Sequence, residues 1–302
     1  MRSIPMSRRG FTMIELLVAL VLLGLVSTAI YRVLVNNQRV YMAQTQRIDL
    51  SQNIRAANTI LSAEFRELDA FDGDIAAMTP TSLDIRAMRW LSFVCVPPVL
   101  DGNPNGRQMI IRGNAVGTPM FFGSRYINEV RDSLLIYLDG NQTTRLDDYF
   151  VTGRLVASPG NQQCPAVGAI PAQPGTRLLF DGNFLAGSNV PGAITTGAPV
   201  RGFERVRYAL YQPSGDTSWY IGFQSAGQTM QPLVGPVLTN GLTFQYFNAA
   251  GAVTAVRTQV ARIDVTVRGR TQAQVRPGGD SPRRAIVDSI TFSVALRNNR
   301  RF

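Results

Sequence analysis

Residues 11–31, FTMIELLVALVLLGLVSTAIY, carry a single charge, Glu15, in an otherwise apolar run. At about 1.5 Å per residue, a helix over this run reaches about 32 Å, enough to cross a bilayer's hydrocarbon core. No Pro occurs between Pro5 and Pro80, and Gly24 is the only Gly between Gly10 and Gly73. The pattern predicts one continuous helix from residue 11 to about residue 70, roughly 90 Å long. In its second half Leu50, Ile54, Ala57, Leu61, Phe65 and Leu68 recur at spacings of three and four, forming one apolar stripe. Arg47, Gln52, Arg55, Asn58, Ser62 and Arg66 lie largely off it. The stripe is the face on which a folded head is expected to pack.

After Asp69 the period changes from helical to two, in short strands divided by Gly, Pro and Asn. Val206, Tyr208 and Leu210 alternate with Arg205, Arg207 and Ala209. Similar alternation runs through Leu242/Phe244/Tyr246, Ile263/Val265/Val267 and Ile286 to Leu296, where Asp288 interrupts the series and delays the strand start. Asn248 to Gly251 reads as a hairpin turn. Residues 97–204 are rich in Pro and Gly around apolar runs such as Leu134 to Leu138 and Arg177 to Phe180, and are expected to be elaborations on the head. Residues 158–175 and 186–202 are expected to be surface loops without regular structure. The predicted class is α+β: a long N-terminal helix, membrane half plus amphipathic half, packed on an antiparallel β-sheet head with long loops.

The first ten residues, MRSIPMSRRG, hold Arg2, Arg8 and Arg9 and no acid, which keeps them cytoplasmic by the positive-inside rule. The apolar run is longer than that of an ordinary secretory signal and has no A-x-A cleavage signature, although Ser27, Thr28 and Ala29 are small. A plain signal anchor would not carry Glu15. An acid inside a span costs about 2.5 to 3.5 kcal/mol at its centre and calls for a partner. No cation follows within a helical turn, whereas cleavage after Gly10 would create one, the amine of Phe11.

The string Arg8-Arg9-Gly10-Phe11-Thr12-Met13-Ile14-Glu15-Leu16-Leu17-Val18 resembles the class III signal of type IV pilins and type II secretion pseudopilins, departing only in Met13 for the common Leu. The resemblance implies that a prepilin peptidase cuts between Gly10 and Phe11 and methylates the new amine. It also implies that Glu15 pairs with the amino terminus of a neighbouring subunit, which turns the membrane penalty into a drive for docking. The implied partners are the peptidase, other minor pilins or pseudopilins, the major subunit and an inner-membrane assembly platform.

The LTFQYFNAAG hairpin and the RIDVTVRGR strand look like the larger minor pilins called W and their pseudopilin counterpart J. A large head suits a minor subunit that primes or caps a filament better than one repeated along it. The expected divisions are a leader over 1–10, a transmembrane half-helix over 11–34, an amphipathic half over 35–71 and a periplasmic β-rich head over 72–302. The expected location is the bacterial inner membrane, with the N-terminus cytoplasmic, and then the filament or its tip. Pilus and type II secretion roles are not separated by these residues.

Composition narrows the chemistry. All 30 basic residues are Arg, His is absent, and the formal net charge is +10. Without His there is no Ser/His or Cys/His pair, and without Lys no phosphate-cradling GxxxxGK[ST] loop. Asp69, Asp72 and Asp74 lack the EF-hand register, Pro80 standing where its glutamate would be, and read as a solvated helix end. Asp147-Asp148 reads as a turn, and Glu64 and Glu67 as the helix's wet face. No catalytic residue, metal site or cofactor is therefore expected. Cys95 and Cys164 are too far apart for a CxxC motif, and are either two buried thiols or an export-compartment disulfide worth about 3 to 4 kcal/mol. From Arg257 to Phe302 ten Arg face three Asp. That leaves a filament-displayed nucleic-acid or surface-binding module as an alternative of a different class, against the default of a solvated sheet face.

Overall fold

The computed structural model describes residues 12–102, 106–113, 116–139, 143, 149–181, 194–276 and 282–297. Helix α1 spans Met13–Arg66 without a break, 54 residues. It is followed by strands β1 (Ile75–Met78), β2 (Ser82–Leu100), β3 (Gly106–Arg112), β4 (Phe121–Gly123), β5 (Asp132–Leu138), β6 (Tyr149–Ala157) and β7 (Asn161–Cys164). Then come β8 (Gln173–Asp181), β9 (Pro199–Tyr211), β10 (Trp219–Ser225), β11 (Gln231–Phe247), β12 (Arg262–Arg270) and β13 (Val287–Ala295). A long helix followed by a large antiparallel sheet is the α+β arrangement expected.

Contacts divide the chain into two units, residues 1–52 with 270–288 and residues 53–269 with 289–302. In the first, the described part of the apolar run is exposed all round, and the helix is long and apolar enough to cross a membrane. The same unit includes an arm between β12 and β13. Thr271 exchanges two hydrogen bonds with Ile286, and Val275 pairs with Arg284. The Ala273 N–H donates to Gln46 Oε1 of α1 at 3.1 Å.

In the second unit, Ile54, Ala57, Leu61, Phe65 and Leu68 are all buried, as the stripe requires; Leu50, in the first unit, is buried too. Phe65 meets Tyr208 and Phe244 edge-on, at centroid distances of 5.7 and 5.9 Å. These rings come from alternating positions of β9 and β11, and Leu242, Ile263, Val265, Val267 and Val294 complete the same core. The turn at Asn248–Gly251 forms, but the chain bridges back only at Phe247 and Val253. It then passes through a 3-10 turn at Arg257–Gln259 before β12 pairs with β11, so this is a wide excursion and not a tight hairpin.

The stretch 97–204 departs from expectation. It carries β3 to β8 and the start of β9, and the interval 158–175 holds β7 and the beginning of β8. Six antiparallel pairings, β2 with β3, β3 with β8, β8 with β6, β6 with β5, β5 with β9 and β9 with β2, close these strands into a ring. Its interior is a second core that includes Trp90, Met109, Phe121, Ile136, Phe180 and Val200. Closure gives each strand of the ring a neighbour on both sides, which lets Gly- and Pro-punctuated segments hold regular structure. The strands are also longer than expected: β2, β9 and β11 have 19, 13 and 17 residues and tolerate their length through register shifts or bends. Trp90 stacks on Phe121 at 5.6 Å and lies over Gly202, where a Cβ would sit 1.9 Å from the indole. Cys95 and Cys164 are joined, with Cα atoms 5.6 Å apart, which ties β2 to the edge strand β7.

Candidate functional site

The start of α1 gathers the residues that the sequence marks for function. Gly10 and Phe11 lie outside the described residues. Thr12 precedes the first helical residue, and its Oγ1 accepts the Glu15 N–H at 3.3 Å. Glu15 Oε2 accepts the Thr12 N–H at 3.4 Å, at the long limit for such a bond. This reciprocal pair is a capping box, in which two helix-start N–H groups that lack intrahelical partners are satisfied by side chains. Its signal, Thr followed three residues later by Glu, is present in the sequence, and a reading of Glu15 as a docking charge alone misses it. The acid is thus held back toward the helix start. Farther along, Thr28 Oγ1 donates to the Gly24 carbonyl at 2.8 Å.

A second concentration of charge joins α1 to the sheet within the second unit. Arg89 of β2 donates from Nη1 to Glu64 Oε1 of α1 at 2.8 Å and from Nε to Glu204 Oε2 of β9 at 3.1 Å. Arg125 grips Asp132 with both amino groups, Nη1 to Oδ2 at 3.1 Å, and reaches Glu204 Oε2 at 3.2 Å. Asp132 also accepts from Trp90 Nε1 and the Asn128 N–H, at 3.0 and 2.8 Å, and the Ser225 hydroxyl donates to Glu204 Oε1. Burial pushes the Glu204 carboxyl up, but hydrogen bonds from Ser225, Arg89 and Arg125 outweigh it and hold the group below its ordinary value. Burial likewise opposes the charge on Arg89, yet Glu64 and Glu204 together raise its pKa. Glu64 is therefore not part of the wet face; its side chain is 21% accessible and ion-paired. Its sequence neighbours could not reveal a partner 25 residues away.

The aspartates after α1 are not a solvated terminus either. Asp69 and Asp74 are buried. Asp69 Oδ1 accepts the N–H groups of Phe71 and Asp72, and Asp74 Oδ2 accepts the Asp69 N–H at 2.9 Å, so the carboxylates close the turn by capping its backbone. Among the described residues no three Asp, Glu, Cys or His converge as a metal site. Asp147 and Asp148 lie outside the described residues.

Burial pushes the Asp74 carboxyl up to about 6, against the pull of the Asp69 N–H and of Arg86, whose Nη1 stands 4.0 Å away. The folded head binds this proton more tightly than the unfolded chain, so between about pH 4 and 6 the unfolded state holds fewer protons. Asp74 therefore costs stability as pH rises through that window. A shift from 3.8 to about 6 corresponds to at most about 3 kcal/mol. Asp74→Asn keeps an acceptor for the Asp69 N–H without the charge. Urea denaturation in detergent should find it more stable than the parent chain by up to about 3 kcal/mol at pH 7.5 and nearly equal at pH 4; a difference independent of pH would refute this.

Of the basic tail, several members are engaged inside the head. Arg262 pairs with Asp264 at 3.0 Å and lies over the Phe247 ring, Arg268 donates to the Asn240 carbonyl, and Arg257 to that of Ala76.

Residues 5–31 match a family model described as the prokaryotic N-terminal methylation motif. No curated protein and no solved structure matches the chain. The match covers residues 5–10, the capped helix start and the apolar run. It supports a type IV pilin- or pseudopilin-like protein processed by prepilin peptidase, and the apolar helix is consistent with a membrane-anchored pilin.

Proposed function

We propose that this chain is a minor subunit of a type IV pilus-like filament and acts by priming or capping assembly. It is cut between Gly10 and Phe11, methylated at the new amine, and docked through Glu15 onto a neighbouring subunit. The observation that carries the proposal is the methylation motif over residues 5–31, in which one acid stands at the capped start of an otherwise uncharged apolar run. Before assembly, residues 11–34 lie in the inner membrane with the amino terminus cytoplasmic, residues 35–71 form the amphipathic half, and the head over 72–302 is periplasmic. A disulfide between Cys95 and Cys164 suits that oxidising compartment. The partners are the peptidase, the other minor subunits, the major subunit and the assembly platform, and the role involves no catalysis and no cofactor. The length of β2, β9 and β11 and the added ring favour a terminal position, because bulk of this kind is hard to repeat along a tightly packed shaft.

The same features suit a type II secretion minor pseudopilin. Neighbouring genes discriminate: a retraction ATPase and pilus genes favour the first reading, a secretin with four companion pseudopilins the second. Processing is tested in the native host by Gly10→Val, because the peptidase must approach the backbone closely where Gly10 has no side chain. The parent chain should begin at a methylated Phe11 by mass spectrometry, whereas the variant should retain its leader. A parent chain that begins elsewhere would sink the proposal.

A further inference from the structure

In the second unit Arg86, Arg89, Arg125, Arg154, Arg207 and Arg262 are all ion-paired to carboxylates. Arg55, Arg131, Arg205 and Arg297 of that unit are exposed as well, and the first unit differs in carrying its exposed arginines together with the apolar span. Arg32, Arg39 and Arg47 on α1, and Arg276, Arg283 and Arg284 on the arm, are exposed, and among the described residues none of them makes an ion pair. No acid occurs between Glu15 and Asp49. Two separate parts of the sequence thus place their unpaired guanidinium groups on one unit, and that unit also carries the apolar span. The arm has a built shape: Thr271 and Val275 are buried, its sides are bonded at Thr271/Ile286 and Val275/Arg284, and Ala273 ties it to Gln46.

We infer that Arg32, Arg39, Arg276, Arg283 and Arg284 form a basic collar that binds the anionic phospholipid headgroups of the bilayer holding the span. Arg32 is the first charge after the apolar run, and Arg39 lies about 10 Å farther along the helix. Beyond the hydrocarbon there are about 5 to 7 Å of headgroups and a Debye length of about 8 Å, so both lie within the leaflet's field. Gln46 is about 21 Å beyond Arg32 along the helix axis. Arg276 lies three residues from the tie at Ala273, so at about 3.3 Å per residue an arm directed toward the span covers about 10 Å of that distance. This leaves Arg276 about 11 Å from the level of Arg32, within the headgroups plus one Debye length. A guanidinium group suits phosphate through two parallel N–H bonds, and basic residues beside a span gain from anionic lipid additively. A lipid surface is favoured over nucleic acid because the span fixes the surface beside these groups, so the encounter is intramolecular. The inference rests on membrane anchoring and not on filament assembly.

The test uses the processed full-length chain as a monomer in nanodiscs of phosphatidylcholine, or of phosphatidylcholine with phosphatidylglycerol, read by hydrogen exchange over 271–276 and 282–288. On anionic discs these segments should exchange at least about threefold more slowly. The protection should vanish in high salt and in the Arg276→Gln/Arg283→Gln/Arg284→Gln variant, while residues 54–65 of α1 stay unchanged as a check on folding. Equal exchange on the two discs overturns the inference. Equal protection on phosphatidylcholine discs by added inorganic phosphate overturns it in favour of a free-anion site, and equal protection by an added oligodeoxynucleotide in favour of nucleic acid. A monomeric disc contains no neighbouring subunit, so failure here leaves the assembly reading untouched, and failure of assembly leaves this result standing.

Discussion

Glu15→Ala should be cut and methylated like the parent chain and accumulate in the membrane, yet reach sheared filaments at no more than about a tenth of the parent level. The variant removes the acid's own cost in the span, so insertion should not suffer. What it removes at docking is the anion that would neutralise a neighbour's amine in a low-dielectric setting. Breaking a buried pair from one side costs about 3 to 5 kcal/mol, well over the roughly 1.4 kcal/mol that a tenfold change requires. Glu15 also caps its own helix, so the alanine result alone has two explanations. Glu15→Gln separates them: glutamine serves in a capping box as glutamate does, but carries no charge. If Glu15→Gln restores incorporation, the acid acts by capping and the docking role falls; if it fails as Glu15→Ala does, the charge is the cause.

Arg89→Ala should lower the stability of the head by about 3 to 5 kcal/mol, or roughly 10 °C in melting temperature for a domain of this size. The cost comes from what stays behind. Glu64 and Glu204 would keep their positions between α1 and the sheet with their shared cation gone. Arg125 still serves Glu204, whereas Glu64 is left with the neutral Tyr208 hydroxyl and no cation. Adding Glu64→Gln to the variant should recover part of the loss, because a neutral amide is cheaper to bury unpaired than a carboxylate. Loss of stability in Arg89→Ala by less than about 1 kcal/mol would show the joint to be ordinary surface pairing.

Much of the helix and half of the sheet were legible in the sequence. The stripe from Leu50 to Leu68 needs only helical periodicity, and Val206/Tyr208, Leu242/Phe244/Tyr246 and Ile263/Val265/Val267 need only alternation, because each has one wet face. The closed ring was not legible. In β2 the register shift between Met88 and Trp90 changes which residues face inward, and Pro97 and Pro98 stand within the strand. Pro174 and Gly175 open β8 in the same way. Such residues argue for loops when read locally, and only pairing with distant partners shows them to be strands. The processing signal was legible for the opposite reason: its meaning is carried by adjacent residues. The joint at Arg89 links positions 25 and 115 residues apart, and no local pattern announces it.

The ring also constrains how the head comes into being. β2 and β9 lie side by side, and their junction at Arg89 and Glu204 spans 115 residues of intervening chain. While the chain emerges from its amino terminus, β2 is among the first strands to appear; only its start has a partner already made, β1, and the rest of its edges wait for strands made later. Until β9 arrives, the apolar interior has no closed wall, and a nascent strand of 19 residues offers its ladder to any passing chain. A chain with this architecture closes late, once β9 has arrived, and its long early strands need shielding until then.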